Sequence, residues 1–101
     1  MLVQFSMFPI GKGESVGKYV AKVVDLVDRS GLSYQSTSMS TIIEGEWDKI
    51  FSLIKKCHKT LRKESNRVYV VITIDDRKDA KNRIKGKVES IEKILKRKIK
   101  K

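Results

Sequence analysis

The chain opens on an alternation. Between Leu2 and Pro9, Val3, Phe5 and Met7 share one parity while Gln4 and Ser6 take the other, which predicts a half-buried β-strand that Pro9 ends. Ile10-Gly11-Lys12-Gly13-Glu14 reads as a loop, and the Ser15 hydroxyl is suited to cap the helix that follows. In that helix Val16, Tyr19, Val20, Val23, Val24 and Val27 recur at spacings of three and four, giving one apolar stripe, and Gly31 supplies a left-handed stop. Residues 32–39 and 40–44 are rich in Ser, Thr and Ile without proline, and predict two strands joined by a tight turn.

Trp47, Ile50, Phe51, Ile54, Cys57 and Leu61 return to the helical period. Glu46 and Asp48 stand at the positive amino end of this helix, and Lys59, Arg62 and Lys63 at the negative carboxyl end. Residues 68–74 are almost unbroken Val, Ile and Tyr, as in a strand covered on at least one face, and Asp75-Asp76-Arg77-Lys78-Asp79 is a polar break. Ile84, Val88, Ile91 and Leu95 predict a last amphipathic helix, weakened by Gly86. The order strand, helix, strand, strand, helix, strand is the split βαβ pattern. It predicts an α+β, ferredoxin-like domain with a four-stranded antiparallel sheet, two helices on one face and a further C-terminal helix. Gln4, Ser6, Thr73 and alternate Ser and Thr residues of the second strand would populate the other face. That face is expected to be too polar for an ordinary core, so water, a ligand or a second subunit should meet it.

Length and composition sharpen this. The 101 residues suit one domain over residues 1–101 with a basic tail at about 96–101. A chain so short shields only about two-thirds of its unfolded surface, so a second copy is expected to complete the burial. No apolar run approaches the roughly 18 residues a membrane span needs, and Met1-Leu2-Val3-Gln4-Phe5 lacks the basic start of a signal peptide; a soluble, cytoplasmic protein is expected. Cys57 is the single cysteine, which excludes an intramolecular disulfide and a multi-thiolate metal site.

A net charge of +11 invites a nucleic-acid reading, but six of the last nine residues are basic, so much of the excess is a terminal tail. Abundant Lys, Glu, Ile and Val, with Gln4, Gln35, Asn66 and Asn82 as the only amides, also match a heat-adapted composition.

Several strings resemble the thiamine-binding-protein family: Pro9-Ile10-Gly11, Ser30-Gly31-Leu32-Ser33-Tyr34, Met39-Ser40-Thr41-Ile42-Ile43-Glu44-Gly45-Glu46, Ile74-Asp75-Asp76-Arg77 and Gly86-Lys87-Val88-Glu89-Ser90. The resemblance runs in order over nearly the whole chain. It implies a ferredoxin-like protomer, homodimers formed through sheet faces that pair into homotetramers, and a pocket for thiamine or its hydroxymethyl-pyrimidine moiety. The chain departs from the family pattern at Ser40, where glycine is usual, and at Ser36 and Ser38, where an apolar residue and proline are common.

Thr41 and Glu44 are candidate ligand contacts, a hydroxyl and a carboxylate able to accept from an exocyclic amine or ring N–H; for Glu44 the alternative is a carboxylate stabilised beside a helix amino end. Ser6, Ser36 and Ser38 could line the same face, or simply be solvated. Lys12, between two glycines before a helix, could reach a phosphate, although the sequence lacks a Walker loop.

Cys57 and His58 have no partner at metal-ligand spacing, and Asp75, Asp76 and Asp79 lack the glycine and terminal glutamate of a cation loop, so no metal or cofactor is expected. Tyr19 and Trp47 lie on helical stripes and read as core or interface residues. No nucleophile, base and orienting group come together, which argues against an enzyme.

A nucleic-acid module of RNA-recognition type is the alternative to a ligand binder. It would need rings and cations on its third strand, where this chain offers Thr41-Ile42-Ile43-Glu44-Gly45. A regulatory or structural oligomer with no vitamin ligand is the other.

Overall fold

The structure, a computed structural model, describes residues 1–14 and 16–100. Its elements run β1 (Leu2–Pro9), α1 (Gly17–Arg29), β2 (Ser33–Ser36), β3 (Thr41–Glu44), α2 (Trp47–Arg62), β4 (Val68–Asp75) and α3 (Arg83–Leu95). The strands form one antiparallel sheet in the order β2-β3-β1-β4, the ferredoxin-like arrangement with α3 appended. The proposed Ser15 cap lies outside the described residues.

β1 is an inner strand, paired on one side with β3 and on the other with β4. Val3, Phe5 and Met7 are buried against α1 and α2, and Ile43 joins them from β3 as the partner of Val3. α1 contributes Tyr19, Val23 and Val27 to this core, and α2 contributes Ile50, Leu53, Ile54, Cys57 and Leu61. Each helix thus buries part of the stripe its spacing predicted, but Val20 stays 40 % exposed, and Leu53, outside the predicted stripe, joins the core. The end of α1 is held by Ser30, whose hydroxyl donates to the Val27 carbonyl at 2.6 Å before Gly31 turns the chain at φ 79°. Tyr34 of β2 donates to Asp28 at 2.7 Å, joining the strand to the same helix end.

Of the two stripe aromatics expected in the core or an interface, Tyr19 is buried, while Trp47 is 55 % exposed and stacks, tilted, on Phe51 with centroids 4.8 Å apart. Two expectations need correction. The second and third strands are shorter than predicted, since residues 37–40 form the turn, closed by the Thr37 hydroxyl donating to the Ser40 carbonyl at 2.9 Å. The sheet face away from α1 and α2 is mixed and not polar. Register places Leu2, Gln4, Ser6 and Phe8 there, paired with Asp75, Thr73, Val71 and Tyr69 of β4.

Candidate functional site

Thr41 directly opposes Phe5, and Glu44 opposes Leu2. Three residues along a strand separate Thr41 from Glu44 by about 10 Å and turn them to opposite faces. The five candidate ligand residues therefore do not converge on one open face. Thr41, only 7 % exposed, faces the helices beside Phe5, as does its β2 partner Ser36. Ser38 lies in the β2–β3 turn, and Ser6 alternates to the open face.

Four of the five nevertheless border one groove. β1 pairs with β3 only from Leu2 to Phe5, so beyond Phe5 it has a strand neighbour on the β4 side alone. α1 and the β2–β3 turn flank this one-sided stretch and leave a groove of about 290 Å³. Ser6, Ser36, Ser38 and Thr41 border it, and the valine stripe of α1, notably Val16, Val20 and Val24, supplies its apolar wall. Among the described residues, no charged side chain lines it. Among the described residues, the Ser36, Ser38 and Thr41 hydroxyls have no hydrogen-bond partner, whereas that of Thr37 closes the turn by accepting from the amides of Met39 and Ser40. An apolar slot with a few uncommitted hydroxyls at one wall can hold a small, flat, largely uncharged molecule and fix its orientation.

Glu44 sits at the opposite end of the sheet and is engaged there. Its Oε2 accepts from the Arg83 amide at 2.8 Å and its Oε1 from the Ile84 amide at 3.3 Å. These are orphan donors of α3, whose N-cap residue, Asn82, is left-handed and makes no side-chain cap. A negative group at a helix amino end is the alternative that the sequence left open for Glu44. The cap comes from 39 residues upstream, so no local pattern could reveal it.

Asp75 pairs with Lys87 of α3 nearby, and the Lys87 ammonium holds its carboxyl below the usual carboxylate range.

Lys12 lies in a second cleft, with Arg62, Lys63 and Arg67. Cys57 is fully buried in the core and burial pushes its thiol up to about 11; His58 is half-buried on the flank of α2. Among the described residues, no group of three or more His, Cys, Asp or Glu is placed to hold a metal ion, and no helix is long and apolar enough to cross a membrane. Sequence reasoning passed over Phe8 and Tyr69, whose rings meet on the open face with centroids 5.6 Å apart. Phe8 shares the parity of Gln4 and Ser6, which was the signal to follow.

Fold and grooves together define a small α+β protein of the ferredoxin-like class. Residues 3–92 match the thiamine-binding protein family, and the chain belongs to that family. UPF0045 protein MJ1052 of Methanocaldococcus jannaschii is 35 % identical over 91 residues, spanning 90 % of this chain and 91 % of that one. A crystal structure of MJ1052 superposes with a TM-score of 0.83 over 89 % of this chain and 93 % of the other, at 36 % identity. UPF0045 protein YqgV of Bacillus subtilis is 36 % identical over 100 residues, spanning 93 % and 96 % of the two chains. With a Thermotoga maritima structure the likeness is of fold, at a TM-score of 0.78 and 19 % identity over 89 % and 96 % of the chains.

Proposed function

We propose that the chain binds a small heterocycle of the thiamine type, without catalysing a reaction, and does so as a homo-oligomer. The observation that carries this reading is the groove beyond Phe5, where an apolar wall from α1 faces the hydroxyls of Ser36, Ser38 and Thr41 and a strand segment with one side unpaired. Membership of the thiamine-binding protein family supports it.

Within that family of ligands the groove favours hydroxymethyl-pyrimidine over whole thiamine. An aminopyrimidine offers ring nitrogens and an exocyclic amine that hydroxyls can match as donor and acceptor. The thiazolium of thiamine carries a positive charge, and no carboxylate lines the groove to balance it. Glu44 is not among the residues that line this groove; it borders a separate cleft with Ser33, Tyr34 and Asn82.

Titration calorimetry with hydroxymethyl-pyrimidine and with thiamine tests the reading. The pyrimidine is expected to bind the tighter of the two. Thr41→Val, which keeps the side-chain shape and deletes the hydroxyl, should weaken it by about tenfold, the worth of one hydrogen bond left unmade in a desolvated site. If neither compound binds at millimolar concentration, or Thr41→Val and the Ser36→Ala, Ser38→Ala pair all bind as the parent does, the groove is not the ligand site.

The oligomer is proposed to form through the open sheet face, where Phe8, Tyr69 and Val71 leave apolar surface that a second copy would cover.

A further inference from the structure

The loop after β1 and the turn between α2 and β4 enclose a cleft of about 330 Å³. Four cations from separate segments line it: Lys12 from the first, Arg62 and Lys63 from the end of α2, and Arg67 from the entry to β4. One carboxylate, Glu64, shares the lining, but Lys22 of α1 already holds it, its Nζ lying 2.7 and 2.8 Å from the two oxygens. Glu64 also feels the Lys12 charge, but one carboxylate set against four lining cations leaves the cleft with a surplus of positive charge.

Its walls are also tied together before any ligand arrives. Ser65 is buried, and its hydroxyl lies 3.1 Å from the Ile10 carbonyl and 2.9 Å from the Arg67 carbonyl while accepting from the Arg67 amide at 3.3 Å. The Ile10 amide donates to the Arg67 carbonyl at 2.8 Å. Arg62 Nε donates to the Ser65 carbonyl at 3.2 Å, which fixes one edge of the guanidinium and leaves its far nitrogens for another acceptor. A braced backbone lowers the ordering cost that an anion meets here to that of the exposed Lys12, Lys63 and Arg67 side chains.

We propose that this cleft is an anion site that takes the phosphate or pyrophosphate group of a small metabolite. Arg62 and Arg67 present planar forks to the non-bridging oxygens. Lys12 adds a point charge from a loop whose flanking glycines, Gly11 and Gly13, both sit at φ 88°. Among the described residues the lining contains no aromatic ring on which a nucleobase could stack, and this favours a small phosphorylated compound over a nucleic-acid strand. No lining residue is shared with the hairpin groove, so the site stands whether or not that groove binds a heterocycle.

Calorimetry of the full chain with inorganic pyrophosphate, inorganic phosphate and phenyl phosphate at physiological salt tests the assignment. Pyrophosphate is expected to bind more tightly than phosphate, and Lys12→Gln and Arg67→Gln should each weaken it by about tenfold or more, the scale of one charge-assisted hydrogen bond. A tail variant of equal or greater charge loss, Lys96→Gln with Lys98→Gln, should bind as the parent does. Phenyl phosphate binding as well as phosphate indicates an ester as the natural ligand, and its exclusion indicates the free ion.

Equal weakening by the tail variant would show attraction to net charge and overturn the site, as would the absence of binding by all three anions. A single-stranded oligonucleotide that displaces pyrophosphate and binds more tightly would overturn it in favour of nucleic acid. Should Arg67→Gln lower the melting temperature, Lys12→Gln decides alone, since the Lys12 side chain makes no hydrogen bond among the described residues.

Discussion

At the scale of single residues, burial decides chemistry more than residue type does. Cys57 looks reactive as the lone thiol of the chain, yet it is fully buried among the apolar residues of α2 and the sheet, and desolvation raises its pKa from an ordinary 9.0 to about 11. The thiolate is the nucleophile, so at pH 8 the folded protein is expected to resist iodoacetamide, with modification following the unfolding rate and becoming fast in denaturant. The same shift links folding to pH. A group with a raised folded pKa contributes stability that is intact below its unfolded value and lost as pH rises toward the folded one. Stability is therefore expected to lose this contribution between about pH 9 and pH 11, and Cys57→Ala should remove that part of the decline. Rapid alkylation of the native protein at pH 8, under conditions where the far-ultraviolet circular dichroism is unchanged, would contradict the burial argument.

Among elements, α3 is the one held chiefly by polar contacts from elsewhere in the chain, the Glu44 cap and the Asp75–Lys87 ion pair. It buries no residue completely, and Ile91 and Leu95 are each 47 % exposed, so packing alone gives it little hold. Glu44 compensates by accepting from the first two amides of the helix. Glu44→Gln keeps one acceptor and removes the charge, and should cost about 1 kcal/mol at this junction; Glu44→Ala should cost about 2 kcal/mol. Hydrogen exchange across α3 should quicken by roughly fivefold in the glutamine variant with α2 unaffected, since local opening and global unfolding are separable. Uniform acceleration in every helix would mean that Glu44 supports the core instead.

This contrast also marks what the sequence could and could not convey. The stripes of α1 and α2 and the alternation of β1 are local periodicities, and the core follows from them. The family strings spanning residues 9–90 were equally legible, because they are runs of adjacent residues. The candidate site was legible only in part. Ser6, Ser36, Ser38 and Thr41 do gather at one groove, but the face on which Thr41 points depends on its register with Phe5, and a one-residue slip of pairing reverses every side chain. The Glu44 cap and the basic cleft join residues roughly 40 to 55 positions apart, which no spacing rule reaches.

For the whole molecule, the unresolved physical demand is apolar surface on β4. This eight-residue strand is an edge of the sheet, contains no proline, and leaves Tyr69 51 % and Val71 45 % exposed on the open face and Ile72 37 % and Ile74 40 % exposed on the side that carries the helices. An uncovered edge of this kind templates association with other chains unless something covers it. A second copy laid on the open face would cover Tyr69 and Val71, because the same patch on two chains is self-complementary around a two-fold axis. Val71→Lys tests this at the open face, beside Ser6 and away from the core. The parent is expected to sediment as a dimer or a larger symmetric species, and the lysine variant to shift toward monomer while keeping its circular dichroism. A like charge is then forced opposite its own symmetry mate, and raising the salt concentration should recover part of the association as that repulsion is screened. A parent that remains monomeric at high micromolar concentration, with β4 amides exchanging freely, would show that water tolerates this surface and that the open face is no interface.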